Sequence, residues 1–143
     1  MFDYLIKDGM LLDGSGKPGF AGDIAIQGGK IAAIGRIDAA AARVISASGL
    51  VVTPGFIDIH RHADAAVFRP GWGRAELAQG LTTVINGNCG LSAAPIRRSR
   101  RAEIAAYLQP ICGQMPAAVS TDSLAAYFEN QPDSPLHTGM LVG

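Results

Sequence analysis

The stretch that decides the fold is VTPGFIDIHRH, residues 52–62, because an apolar segment runs directly into two histidines. Residues 50–59 are almost continuously apolar, which is typical of a strand buried on both faces of a parallel sheet. Side chains alternate along a strand, so Asp58, His60 and His62 are expected to project to one face. The sequence therefore predicts a buried strand that delivers a carboxylate and two imidazoles to its carboxyl end.

The residues after this strand predict a series of alternating helices and strands. Residues 73–79 contain helix formers and end at Gly80, a residue type that favours the left-handed conformation at helix ends. The other predicted elements are a strand at 81–86, helices at 99–108 and 121–130, the latter capped by Thr121 or Asp122, and the start of a third strand at 140–143. Right-handed crossovers stack such units into a parallel sheet or barrel, so the fold class is α/β.

The first fifty residues have a different pattern, in which short strands alternate with glycine turns. The predicted strands are residues 4–6, 10–12, 24–27 and 30–34, and a Gly-Gly pair joins the last two as a hairpin. A single hairpin is marginal in water and needs further strands to cover it. We therefore expect a small β domain at residues 1–53, followed at residues 54–143 by the first βα units of a (β/α)8 TIM-like barrel.

The chain is short for the barrel that it predicts. A complete (β/α)8 barrel takes about 250 residues, whereas the whole chain has 143. Its last residues, Leu141-Val142-Gly143, lie inside an apolar run. We expect the N-terminal portion of a longer protein or a shortened gene product, which would be catalytically inactive by itself.

Composition excludes several classes of function. Twelve Lys and Arg residues balance twelve Asp and Glu residues, so binding to nucleic acid or to an anionic membrane has no support from charge. The arginines at 97, 98, 100 and 101 are interpreted as a solvated helix face. The longest uncharged stretch, residues 104–121, contains glutamines and prolines and is no membrane span. No signal peptide is recognisable at the N-terminus, so a cytoplasmic location is expected.

A cysteine follows the second predicted strand, in the segment NGNCG at residues 86–90. Because the active sites of barrels lie at the carboxyl ends of the strands, Cys89 is expected at the same edge as His60 and His62. Imidazole nitrogen and thiolate sulfur are the usual ligands of zinc. The sequence therefore predicts a metal site made of these three residues, with Asp58 and Asn88 supporting the ligands from behind.

Simpler explanations exist for each of these residues. A lone histidine at a sheet end is usually just solvated. Two histidines that follow an apolar strand and project to the same face favour metal binding. A lone cysteine is more often a small buried apolar residue, and Cys112, far from any strand end, is assigned that role. Two cysteines are too few for a disulfide scaffold.

These segments carry a resemblance to a known family. Residues 52–62 resemble the first-strand signature of the amidohydrolase superfamily, and residues 79–95, QGLTTVINGNCGLSAAP, are similar to its N-acyl-D-amino-acid deacylase (D-aminoacylase) branch. Residues 5–9 and 29–35 are similar to the opening β segment of that family. The resemblance implies a β-sandwich built from both chain ends, a metal-dependent barrel, and hydrolysis of the amide bond of N-acyl-D-amino acids.

The resemblance also implies roles for individual residues. His60, His62 and Cys89 take the metal positions, for one or two Zn²⁺ ions, and a cysteine replaces the carboxylated lysine that bridges two metals elsewhere in the superfamily. The only lysines, at positions 7, 17 and 30, all precede the barrel. Two further histidine ligands and the catalytic aspartate come from later strands, so no catalytic residue is expected within this chain. His137 matches no family motif and is expected on the surface or in a loop.

Three readings of the function stay open at this point. The first is a deacylase acting on small-molecule substrates, whose remaining barrel would be further chain or a second chain. The second is another amidohydrolase, such as a dihydroorotase, a hydantoinase or an isoaspartyl dipeptidase. The third is a non-catalytic remnant that acts as an interaction module. One departure from the signature is Arg61, where the superfamily commonly has a smaller Thr or Ser.

Overall fold

The computed structural model describes all 143 residues, which divide into two compact units. The first unit is Met1–Pro54 and the second is Gly55–Gly143. The sequence placed a boundary between residues 53 and 54. Each unit has its own sheet, and the candidate site lies entirely in the second unit.

The first unit is a five-stranded mixed sheet. Its strands are β1 (Phe2–Leu11), β2 (Phe20–Gln27), β3 (Lys30–Gly35), β4 (Ala41–Ser46) and β5 (Val51–Val52). The order is β3-β2-β1-β4, and β5 also pairs with β1. The β2–β3 pair is antiparallel, as the predicted Gly-Gly hairpin requires. The β1–β2 pair is also antiparallel, whereas β4 and β5 run parallel to β1.

Strand β1 is a single strand where the sequence predicted two short ones at 4–6 and 10–12. The interruption is a bulge: the pairing register with β2 shifts between Ile6 and Gly9, and Asp8 has a φ of +61°. The Asp8 N–H donates to the carboxylate of Asp23 at 2.9 Å, which gives the bulged backbone a partner. A bulge breaks the alternation of side chains without ending the strand, so the pattern of apolar residues was misleading here.

The second unit is built from parallel strands and short helices. Its elements are β6 (Phe56–Asp58), α1 (Arg74–Ala78), β7 (Leu81–Asn86), α2 (Arg101–Cys112), α3 (Leu124–Glu129) and β8 (His137–Met140). The strands pair in the order β6-β7-β8, all parallel. The predicted helix before Gly80 and the predicted strand after it are confirmed, and Gly80 has a φ of +86°. The βα order of the sequence is therefore realised.

The prediction of one continuous buried strand over residues 50–59 is wrong. Two short strands occupy the region, β5 in the first unit and β6 in the second. Pro54 has no N–H to donate between them, and a Cβ on Gly55 would collide with the side chain of Thr82. Within this chain, Ile57 of β6 is 61% exposed.

Two boundaries near the end of the chain also differ from the prediction. Helix α3 starts after Ser123, whose Oγ accepts the Ala126 N–H at 3.1 Å, rather than after Thr121 or Asp122. Strand β8 starts at His137, which pairs with Thr83, instead of at residue 140. His137 is exposed, as expected, but it lies in the strand and not before it.

The core of the second unit packs the segment after β6 against the segment after β7. Its buried residues are Ala63, Val67, Ala94, Val119 and Tyr127. Tyr127 is completely buried and stacks edge-to-face on Phe68 with ring centroids 5.4 Å apart. This packing fixes the two segments that carry the predicted metal ligands. No helix combines the length and apolar character that a membrane crossing requires, since the longest, α2, has 12 residues.

Candidate metal centre

His60, His62 and Cys89 come together at the carboxyl edge of the parallel sheet. One potential ligand atom from each residue lies within 4.8 Å of the other two. The Sγ of Cys89 is 3.3 Å from Nε2 of His60, and the two imidazole centroids are 5.5 Å apart. The structure thus assembles the three residues that the sequence singled out as ligands.

The two histidines lie beyond the end of β6, which stops at Asp58. The pairing continues irregularly past that point, because the N–H of Arg61 donates to the carbonyl of Ile85 in β7 at 3.0 Å. His60 is exposed and His62 is half-buried. The imidazoles are therefore placed by the segment that follows β6, which the Arg61–Ile85 bond ties to β7, and not by the regular strand itself.

Cys89 sits in a short 3₁₀ turn, Asn88–Gly90, in an uncommon backbone conformation. Its φ is +59°, between Gly87 at +73° and Gly90 at +70°. A left-handed conformation at a residue other than glycine costs free energy and occurs preferentially at functional sites. At Gly87 a side chain is excluded sterically as well, because a Cβ would overlap the carbonyl of Leu141. The turn is thus shaped by its surroundings to present the thiol.

Two asparagines tie the turn to the histidine segment. Asn88 is 7% exposed, and its Nδ2 donates to the carbonyls of Ile85 at 2.8 Å and Arg61 at 3.3 Å. Asn86, at the end of β7, is 1% exposed, and its Oδ1 accepts the N–H of Ala63 at 3.0 Å. These bonds satisfy backbone groups that lie between and after the two histidines. They hold the histidine segment and the cysteine turn in one arrangement.

Asp64, two residues after His62, was not among the residues that the sequence singled out. The residue is fully buried, and its Oδ1 accepts the N–H of Ala93 at 3.1 Å. Burial raises the pKa of Asp64, an effect that the hydrogen bond from Ala93 partly opposes. Its Oδ2 has no hydrogen-bond partner. The signal was present in the sequence, because Asp64 continues the alternation of Asp58, His60 and His62.

Asp58 makes different contacts from those expected of a residue that holds an imidazole. Its Oδ1 accepts the backbone N–H of His60 at 3.1 Å, and its Oδ2 lies 3.6 Å from Nη1 of Arg61. Arg61 also donates to Glu76 at 2.6 Å. Asp58 therefore supports the histidine segment through the backbone, and the large Arg61 side chain is held by carboxylates.

The remaining candidates from the sequence have structural roles. Cys112 is 3% exposed, and burial raises the pKa of its thiol to about 11, so it stays protonated. Arg98 pairs with Asp122 at 2.9 Å, and Arg100 pairs with Glu103, both at the surface. These residues offer no additional ligands near the three that converge.

The chemistry of the three donors fits a zinc ion. In a tetrahedral site, a zinc-bound nitrogen and sulfur are about 3.6 Å apart, close to the 3.3 Å between His60 Nε2 and Cys89 Sγ. A half-buried imidazole, a second imidazole and an exposed thiol within 4.8 Å form a set that a zinc ion can occupy after a small contraction.

Comparison with known proteins bears on this arrangement. An amidohydrolase family model matches residues 43–128. The chain belongs to the amidohydrolase family. A D-aminoacylase from Alcaligenes xylosoxydans xylosoxydans is 49% identical over 96 residues, which cover 66% of this chain and 20% of that enzyme. The chain thus spans about a fifth of that relative, and the resemblance seen in residues 52–62 and 79–95 is confirmed.

Solved structures agree with the family and with the fold class. A D-aminoacylase crystal structure superposes with a TM-score of 0.84 at 32% identity, covering all of this chain and 30% of that one. An N-acyl-D-glutamate deacylase from Bordetella bronchiseptica, complexed with zinc and a phosphonate that mimics the tetrahedral intermediate, gives 0.75 at 33% identity, covering 99% and 29%. The predicted α/β class, as part of a barrel of this type, is therefore confirmed. These relatives are metal-dependent hydrolases of small molecules.

Proposed function

We propose that this chain forms the metal-binding part of a zinc-dependent deacylase that hydrolyses N-acyl-D-amino acids. The observation that carries the proposal is the convergence of His60, His62 and Cys89 at the carboxyl edge of β6 and β7. Two imidazoles and a thiol from two segments meet there, in a family whose similar structures include a zinc-bound deacylase. The proposed substrate is a small molecule with an amide bond.

The three donors would hold one zinc ion, or would share in holding two with Cys89 between them. When bound, zinc lowers the pKa of a water molecule and polarises the carbonyl of the amide. The contribution of this chain is to keep the donors in place before the metal arrives. Asn86 and Asn88 do so by bonding the backbone around the histidines, which reduces the conformational entropy lost on binding.

The preference for the D-enantiomer rests on the segment around Cys89. Residues 87–95 resemble the D-aminoacylase branch, in which a cysteine takes the place of the bridging lysine of other branches. The D-aminoacylase relative shares nearly half of its residues over the matched region. Dihydroorotases, hydantoinases and isoaspartyl dipeptidases are less well supported by this segment.

A chimera tests the proposal directly. The matching segment of the Alcaligenes D-aminoacylase is replaced by residues 1–143, and hydrolysis of paired N-acyl-D- and N-acyl-L-amino acids is measured. We expect activity on the D-substrate, loss of at least about 100-fold in that activity in His62→Ala, and bound zinc by metal analysis. The chain alone, loaded with Zn²⁺, is expected to be inert because the proton-transferring carboxylate of the family comes from later strands.

A matched substitution controls for folding of the chimera. His137→Ala changes an exposed histidine in β8 of the same unit and should retain activity and zinc content. A folded chimera that binds no zinc, or that retains zinc and activity in His62→Ala, would refute the assignment. Activity confined to dihydropyrimidine rings or β-aspartyl dipeptides would move the chain to another branch of the family.

A further inference from the structure

Three buried polar atoms near the metal centre have no hydrogen-bond partner. They are Nδ1 of His62, Oδ2 of Asp64 and Nδ2 of Asn86. Buried polar groups are nearly always paired, so each such atom in a folded protein requires an explanation. His62 and Asp64 flank Ala63, whose N–H is bonded by the side chain of Asn86. Oδ2 of Asp64 is the acceptor of the three, and Nδ1 of His62 and Nδ2 of Asn86 are the potential donors.

The carboxylate of Asp64 is held more firmly than the imidazole. Oδ1 accepts the N–H of Ala93, and the backbone carbonyl of Asp64 accepts the hydroxyl of Tyr127 at 2.8 Å. Both Asp64 and Tyr127 are completely buried. Asp64 therefore offers a fixed acceptor, and its partner Ala93 lies in the segment that follows Cys89. Oδ1 of the same carboxyl group is thus bonded on the cysteine side of the site, and Oδ2 is free.

A fixed acceptor at Nδ1 decides which nitrogen of the imidazole is free. A neutral histidine carries one proton, and a carboxylate that accepts an Nδ1–H bond keeps the proton there and leaves the lone pair on Nε2. Histidines that bind metals usually make such a bond to a carboxylate or a carbonyl, which fixes both the tautomer and the ring plane. A gap longer than a direct bond is commonly closed by one water molecule.

We propose, building on the metal site proposed above, that Asp64 is a positioning residue that accepts the Nδ1–H of His62 through one water, and so directs Nε2 of His62 at the metal. The competing explanation is that Asp64 only anchors the Ala93 backbone and that its free oxygen is left to Nδ2 of Asn86. The two explanations are separable because they use different oxygens of the carboxylate: Oδ1 bonds Ala93, whereas Oδ2 is the free atom.

Asp64→Asn distinguishes the two roles. The amide oxygen can still accept the hydrogen bond from the Ala93 N–H, but Oδ2 is replaced by an NH2 group, which cannot accept a hydrogen bond. Tyr127→Phe is the structural control, because it removes the hydroxyl bonded to the Asp64 carbonyl and leaves the carboxylate intact. Asp23→Asn changes a buried carboxylate that accepts backbone N–H groups in the other unit, and controls for the loss of such a charge.

The first measurement is the tautomer of His62 in the metal-free 143-residue chain, read from imidazole ¹⁵N chemical shifts. We expect the Nδ1–H form to dominate in the wild-type chain, and the Nε2–H form to gain population in Asp64→Asn. Tyr127→Phe and Asp23→Asn should leave the tautomer unchanged. A wild-type His62 that is mainly Nε2–H overturns the proposal without any variant having to fold.

The second measurement is zinc affinity, by competition with a chelating dye. Removal of such a supporting bond typically weakens metal binding 10- to 100-fold, and we expect about that loss for Asp64→Asn. Tyr127→Phe should lower the thermal midpoint with little change in affinity. If Asp64→Asn binds zinc like wild type and keeps its tautomer, Asp64 is only an anchor. If wild type binds no zinc, the proposed function fails, and the tautomer measurement still decides the role of Asp64.

Discussion

Gly87→Ala should destabilise the protein more than Gly90→Ala, although both glycines flank Cys89. Both have positive φ, +73° and +70°, so an alanine costs roughly 1–2 kcal/mol at either position. At Gly87 the new Cβ would also overlap the Leu141 carbonyl and lie 3.0 Å from Cγ of Met140, whereas at Gly90 it meets nothing within 4 Å. Such overpacking adds about 1–3 kcal/mol. The difference between the losses in unfolding free energy of the two variants therefore measures the cost of the overlap between the new Cβ at Gly87 and the segment after β8.

Urea unfolding of both variants and of the wild-type chain measures this difference. Trp72, which packs against the core of the second unit, supplies the fluorescence signal. We expect Gly90→Ala to lose about 1–2 kcal/mol and Gly87→Ala to lose about 2–5 kcal/mol. The zinc affinity of Gly87→Ala should fall as well, because relief of the overlap moves the turn that carries Cys89. The carbonyl of Asn86, next to Gly87, bonds the N–H of Leu141 at 3.0 Å and limits other ways of relieving it.

Equal losses in the two variants would refute this reasoning. That result would mean that only the backbone conformation matters, and that the segment after β8 yields to an added methyl group without cost. If Gly87→Ala greatly lowered the free energy of unfolding but left the zinc affinity unchanged, the close approach at Gly87 would matter for stability and not for the metal site. That outcome would show that the position of Cys89 does not depend on the close approach of Gly87 to Leu141.

Two further predictions concern titratable groups. Iodoacetamide at about pH 8 should modify the exposed Cys89 and leave Cys112 intact, because a thiol with a pKa of about 11 is then on the order of one-thousandth ionised. Bound zinc should protect Cys89 from this modification. Peptide mass analysis measures both effects. Hydrogen bonds from the N–H groups of Asp8 and Ile37 lower the pKa of Asp23 below 3.8, so its stabilising contribution is present above that pH and is lost as the pH falls through the folded-state pKa. The protection factors of amides in β1 and β2 should thus fall, as the pH is lowered below 3.8, more in the wild-type chain than in Asp23→Asn; an equal fall would contradict this.

Local patterns in the sequence were sufficient for much of the second unit. Gly80 after a run of helix formers marked the end of α1, and the β-rich residues that follow gave β7. These features reflect short-range energetics: backbone conformational preferences and the alternation of side chains along a strand. The order of strands and helices then implied parallel strands, which brought Cys89 to the edge that carries His60 and His62.

Other parts depended on contacts that no local pattern encodes. The apolar run at residues 50–59 is divided between two units: β5 pairs with β1, whereas β6 pairs with β7. Apolar composition indicates that a segment can be buried, but it does not show which sheet the segment joins.

The sequence by itself determined the donors of the candidate site, and the tertiary structure decided how they are held. His60, His62 and Cys89 are identifiable because their side chains have distinctive chemistry and follow strands. The bonds that fix them join residues far apart in the chain: Asp64 to Ala93 across 29 positions and Tyr127 to Asp64 across 63. Aspartate and tyrosine have many uses in a protein, so their identity does not reveal a partner. Only packing, which buries them and forces every polar atom to find a bond, selects those contacts.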